Sequence, residues 1–178
     1  MHHPFELTPP VTAVDHLQGP DHARVTLVEY GDFECPNCKQ AAPSVKLLMQ
    51  RFPQGVRFVF RHFPLVEVHP HAQLAAEAAE CAGAQGKFWP MHDALFEHQL
   101  HLKENQLRAY AEQLRLDMTR YAAEMDDHVY LQRVREHQQS ARDSGVRGTP
   151  TFFVNGRLQD VSFGMQGLFK AVDAALKR

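Results

Sequence analysis

The chain has 178 residues, 44% of them hydrophobic and 22% charged, with a formal net charge of -2. That size and composition suit one globular domain, alone or carrying an insertion, and exclude a disordered chain. The charge, with no Lys/Arg block interleaved with aromatics, excludes an electrostatic nucleic-acid binder, and no run of roughly 18 apolar residues offers a membrane span. The first residues, Met1 to Pro10, lack a basic start followed by an apolar run, so they do not read as a secretory signal. If Met1 is the native start, cytoplasmic residence is expected; a removed leader would make it periplasmic.

Residues 1–23 are rich in Pro and His without an apolar period and read as an N-terminal arm on the surface. Arg24 to Tyr30 is dense in β-branched and apolar residues, as a buried strand would be. Gly31 to Glu34 turns the chain, and Pro36 suits the first position of a helix, where its missing N–H is no loss. That helix carries Ala41, Ala42, Val45, Leu47, Leu48 and Phe52, with a bend expected at Pro43 and a stop at Pro53-Gln54-Gly55. Val56 to Phe60 alternates as a second strand, which makes a βαβ unit with parallel strands.

The texture then changes to helical over residues 69–142. Four stripes stand out: Ala75, Ala78, Ala79 and Ala82; Met91, Leu95 and Phe96 after Trp89; Leu107, Tyr110, Ala111 and Leu114; Val129, Leu131 and Val134. The block reads as an insertion within one domain that covers residues 24–178, its core formed by 24–68 and 143–178. β texture returns with Thr151 to Val154, the Asn155-Gly156 turn and a partner strand from Arg157 to Val161, and Met165 to Lys177 closes as a helix. The expected fold is α/β.

Three cysteines are too few for a disulfide-stapled scaffold, and two of them, Cys35 and Cys38, stand at C-x-x-C spacing. A thiol attacks a disulfide only as thiolate, and a helix N-terminus favours that charge through its free N–H groups and dipole. Cys35, at the helix edge, should be exposed, low in pKa and nucleophilic. Cys38, one turn on, should be shielded and resolve the mixed disulfide. Asp32 and Glu34 oppose the thiolate by their charge. A competing reading makes the pair half of a zinc site completed by His62, His69 or His71. Cys81, in an Ala-rich stretch, reads as a small buried hydrophobe, and Phe88 and Trp89 as core.

The order strand, C-P-x-C helix, strand, helical insertion, Thr-Pro, hairpin, helix resembles the DsbA-like branch of the thioredoxin superfamily. So do the segments Glu29-Tyr30-Gly31-Asp32-Phe33-Glu34-Cys35-Pro36 and Gln85-Gly86-Lys87-Phe88-Trp89-Pro90-Met91-His92-Asp93. The resemblance implies a thioredoxin-like fold with the helices inserted between its βαβ and ββα halves. It implies a thiol–disulfide oxidoreductase whose only redox group is the Cys35–Cys38 disulfide, with no added cofactor or metal. Pro150 matches the family's cis-proline facing that disulfide, and Thr149 would offer its backbone to a substrate strand. Glu29 matches the buried acid that takes the proton of Cys38, and Pro43 matches the kink of the active-site helix.

Pro36, Asn37, Thr149 and Pro150 are thus the candidate substrate-contacting residues. Strongly oxidising members carry Pro-His between the cysteines, whereas this chain has Pro36-Asn37, which implies a potential of roughly -150 to -250 mV. The partners implied are thiol or disulfide substrates, chiefly proteins, and a redox partner such as glutathione or a thioredoxin system, without nucleic acid or membrane. A glutathione-dependent isomerase or transferase on the same fold is a further alternative, which Cys38 argues against.

Overall fold

The computed structural model describes residues 6–178. Five strands form one sheet: β1 (His16–Gln18), β2 (Val25–Gly31), β3 (Val56–His62), β4 (Thr151–Val154) and β5 (Arg157–Gln159), in the order β1-β3-β2-β4-β5. Helix α1 (Pro36–Arg51) joins β2 to β3, and the two strands run parallel, as the βαβ pattern requires. β4 returns antiparallel on the other side of β2, so β2 lies at the centre with both faces covered. Its residues from Leu27 to Gly31 are all buried, Glu29 among them. The Asn155-Gly156 turn has positive φ at both residues, 47° and 80°, the conformation that a two-residue hairpin needs. The last helix is α7 (Gln166–Leu176), which packs Leu168 and Val172 inward.

Five helices, not four, fill the insertion between β3 and β4: α2 (Ala72–Ala84), α3 (Phe88–Glu97), α4 (Glu104–Gln113), α5 (Met118–Asp126) and α6 (Leu131–Asp143). Sequence inspection missed α5 because only Tyr121 and Met125 are buried along it, too thin a stripe to stand out. A signal was present in Asp117, whose carboxylate accepts from the Arg120 N–H at 3.0 Å and caps the helix. The stripe assigned to Val129, Leu131 and Val134 is corrected as well. Val129 precedes α6 and is exposed, and the buried face of α6 is Val134, His137, Ser140 and Ala141. One hydrophobic cluster runs from Leu27 and Leu48 beneath α1 to Met91, Leu107 and Tyr121 of the insertion, so the helices complete the core of the sheet.

The expectation of a surface arm over residues 1–23 also needs correction within residues 6–23, residues 1–5 lying outside the described residues. His16–Gln18 pairs antiparallel with β3 as an edge strand, too short to show a period. Just before it, Asp15 accepts from Arg61 at 2.8 and 3.0 Å, with both side chains at most 5% exposed. Arg61 also donates to the carbonyls of Pro9 and Pro10, which straps the N-terminal segment to β3. No helix among the described residues is long and apolar enough to cross a membrane.

Candidate active site

The end of β2 delivers the chain to the N-terminus of α1, where Cys35 is the N-cap and Pro36 the first helical residue. The intervening turn is held by buried groups. The Asp32 carboxylate accepts from the N–H groups of Glu34 and Leu65 at 2.7 and 2.9 Å and pairs with His69 Nδ1 at 2.7 Å. Glu34 accepts from the backbone and ring of His71 at 2.7 and 2.9 Å. The two acids expected to oppose a thiolate are therefore engaged with histidines at the entry to α2. His62 faces Glu80. None of the three histidines considered as zinc ligands for the cysteines thus turns to a thiol; each faces a carboxylate.

Cys38 is fully buried and Cys35 is only 5% exposed, while Pro36 and Asn37 between them are exposed. The expectation of an exposed Cys35 is corrected: the Thr149-Pro150 loop closes over it. Sγ of Cys35 lies 3.5 Å from the Thr149 carbonyl oxygen, within reach for the thiol to donate. The Thr149–Pro150 bond is cis, as the resemblance implied. It is the carbonyl of Thr149 that makes the contact, while its hydroxyl is buried with no hydrogen-bond partner.

The two thiols occupy different electrostatic environments. Hydrogen bonding from the Cys38 thiol, opposed by burial and helped by the Thr149 hydroxyl, which has no other partner, and by the N–H groups of Cys38 and Asn37, lowers the Cys35 pKa to about 5. Burial, then the bond to Cys35 and the charge of Glu29, pushes Cys38 above the ordinary thiol range. Glu29, on the central strand, is raised to about 8 by burial first and by the charge of Cys35 second. Its Oε1 has no partner, and it lines a cavity of about 730 Å³ alongside α1, together with Ala42, Lys46, Phe58 and His92. The arrangement can hold one thiolate at the surface edge, keep a second thiol protonated behind it, and move a proton to a carboxylate below. Cys81 is buried elsewhere, and burial raises its pKa to about 12, as suits an inert thiol.

Sequence reasoning missed Gln99. Its buried side-chain amide donates to the carbonyls of Phe33 and Cys35 at 2.9 and 2.8 Å and so ties α3 to the active-site turn. No local pattern marks a glutamine past a helix end for this role. Gln99→Leu is expected to remove the side-chain donor to the Phe33 carbonyl, while the Cys35 carbonyl keeps the N–H groups of Cys38 and Lys39, and to cost about 1–3 kcal/mol, read as a lower midpoint in urea unfolding.

Residues 12–174 match the family described as Thioredoxin. The chain belongs to the thioredoxin family. Among solved structures it is similar to a thioredoxin-like oxidoreductase from Silicibacter pomeroyi, at 29% identity over 94% of this chain and 95% of that one, with a TM-score of 0.82. It is also similar to DsbA2 from Pseudomonas aeruginosa, at 26% identity over 93% of this chain and 96% of that one, with a TM-score of 0.69. Within the superfamily it therefore lies in the DsbA-like branch, and this supports thiol–disulfide oxidoreductase as its general class. Among curated proteins it is 51% identical over 161 residues to a Na(+)/H(+) antiporter NhaA 1 from Salinispora arenicola, a match covering 90% of this chain but 24% of that protein. The thioredoxin-family chain thus spans about a quarter of the length of the curated relatives it matches, and the antiporter name is that of the longer polypeptide. None of these likenesses supports the cytoplasmic residence expected from the first residues.

Proposed function

We propose that the chain exchanges disulfides with protein thiols through Cys35 and Cys38, with Cys35 as nucleophile and Cys38 as resolving thiol. The observation that carries this reading is the division of the pair: one thiol caps a helix start beside exposed Pro36 and Asn37 and faces the Thr149 carbonyl, while the other is fully buried, and burial and charge push their pKa values apart. In the oxidising direction a substrate thiolate attacks Sγ of Cys35 and breaks the Cys35–Cys38 bond. Cys38 leaves as thiolate and takes the proton of Glu29. A second substrate thiolate then attacks the substrate sulfur of the mixed disulfide, and Cys35 departs as thiolate. In the reducing direction the same steps run backwards, with Glu29 accepting the proton of Cys38. Pro36, Asn37, Thr149 and Pro150 frame the approach to Cys35, and an extended substrate segment would pair with the Thr149 backbone.

The stabilised Cys35 thiolate favours the reduced form of the pair and makes the disulfide oxidising. A pKa near 5 falls between those of the strong oxidant DsbA and thioredoxin, so the potential is expected at about -190 mV. Equilibration with glutathione buffers, read by alkylation and mass spectrometry, measures it. A value at or below about -270 mV would make the protein a reductase and overturn the oxidising reading. Failure to form any Cys35–Cys38 disulfide would sink the proposal as a whole. In the same samples, the rate of Cys35 alkylation is expected to rise with a midpoint near pH 5. In the oxidising direction glutathione disulfide would re-oxidise the pair after each turnover; in the reducing direction glutathione or a thioredoxin system would reduce it.

A further inference from the structure

Away from the thiols, three elements bring a second set of donor atoms together. His16 of β1, His62 at the end of β3 and Glu80 of α2 each offer one ligand atom, and all three atoms lie within 4.8 Å of one another. Nε2 of His62 is 3.2 Å from Oε2 of Glu80, and Nε2 of His16 contacts the same oxygen. Ligands of a tetrahedral zinc ion, with bonds of about 2.0–2.2 Å, stand about 3.3 Å apart, so only small side-chain shifts would seat one.

The surroundings are shaped for the donors. The guanidinium of Arg133 pairs with Oε1 of Glu80, which leaves Oε2 to face the two imidazoles, as an outer partner orients a ligating carboxylate. The His16 ring lies flat on Phe88, with centroids 3.6 Å apart and planes 4° from parallel. Gly83 makes room for that ring: a Cβ there would stand 2.9 Å from Cε1 of His16. A glycine inside α2 costs helix stability, roughly 1 kcal/mol relative to alanine, and here it is what lets β1 place its histidine. His62 and Glu80 are buried, while the His16 side chain is 18% exposed, so the trio opens to solvent on one side, where a water could complete four-coordination.

We propose that His16, His62 and Glu80 form a structural site for a divalent transition metal, best matched by zinc, that clips the N-terminal strand to the sheet and to the helical insertion. Two neutral imidazoles and one carboxylate suit zinc better than calcium or magnesium, which take oxygen ligands. The site shares no side chain with the thiol chemistry, so its failure and that of the redox reading are separate results.

The test uses the full chain with Cys35→Ser and Cys38→Ser, which removes ligation by the active-site thiols, stripped with a chelator and titrated with zinc alone and with cobalt(II) alone. One equivalent of zinc is expected to bind and raise the unfolding temperature, and cobalt is expected to show the visible absorption of a four-coordinate site. Arg133→Gln is expected to weaken zinc about 10–100-fold, the usual cost of losing an outer partner. His16→Ala, Gly83→Ala and Glu80→Gln are expected to weaken it at least as much. If Glu80→Gln does not fold, His16→Ala at the solvent side carries the result. No zinc-dependent stabilisation, or binding unchanged in His16→Ala, would overturn the proposal and leave the trio as a hydrogen-bonded cluster around Glu80.

Discussion

Cys35→Ser is expected to lower thiol–disulfide exchange by about 10³-fold or more, whereas Cys38→Ser leaves a protein that reacts once and stops. The asymmetry follows from burial and charge. Cys35 is the thiol whose anion is stabilised, and it lies under the Thr149 carbonyl where a substrate strand would dock. Cys38 has no exposed surface and cannot meet a substrate directly. With Cys38 replaced, the mixed disulfide at Cys35 has no internal thiol to release it and should accumulate as a covalent adduct, visible as a mass increase that reductant reverses. Glu29→Gln should give a milder form of the same result. It removes the proton acceptor beneath Cys38 and slows release by about 10²-fold at neutral pH, with little effect on the first attack. Full exchange activity in Cys35→Ser, or stable adducts formed through Cys38, would reverse the assignment of roles.

The second large effect concerns stability and pH, and it differs between the two redox forms. Glu29 is raised from 4.5 to about 8 in the folded chain, so between these values the native state holds a proton that the unfolded chain has released. Stability therefore falls as pH rises through that window. The full interval corresponds to at most about 5 kcal/mol, and because buried charges in proteins respond as in a medium of fairly high effective dielectric, a loss of about 3 kcal/mol is expected. Cys35 has the opposite sign. Its pKa falls from 9.0 to about 5, so the native state has lost a proton that the unfolded chain keeps, and stability rises over that range.

In the reduced protein these two slopes oppose each other between about pH 5 and 8, and the buried His62, His92 and His137, whose pKa values burial lowers, add a rising limb up to about pH 6.5. The disulfide removes the Cys35 titration and charge, so in the oxidised protein the falling limb of Glu29 is read as the difference between the wild-type and Glu29→Gln curves, most clearly above about pH 6.5. Urea unfolding of both redox forms, and of oxidised Glu29→Gln, at pH 5, 6.5 and 8 measures this. An oxidised wild type whose change in stability from pH 6.5 to 8 matches that of Glu29→Gln would mean that Glu29 ionises freely, and would remove it from the proton path.

Much of the site could be read along the chain because its parts lie close in sequence or carry strong local signals. The C-x-x-C spacing and Pro36 placed Cys35 at a helix start, and Asn155-Gly156 marked the hairpin through the backbone conformations those residues accept. The βαβ unit followed from two apolar strands flanking one helix, and β2 and β3 do run parallel. Residues paired across long sequence distances left no such mark. Gln99 reaches Cys35 from 64 positions away, and the Asp15–Arg61 ion pair joins residues 46 apart. A short edge strand such as β1 has too few residues for a period, so only its pairing with β3 reveals it.

What the sequence determined by itself was therefore the class of fold, the order of its longer elements and the C-x-x-C pair proposed as reactive, since spacing and periodicity are local properties. Tertiary structure alone decided how the two thiols differ. Burying Glu29 on a central strand, closing Thr149 over Cys35 and turning Asp32 and Glu34 toward His69 and His71 are long-range acts of packing. Desolvation and charge at those few ångströms, more than residue identity, separate a thiolate near pH 5 from a thiol that keeps its proton.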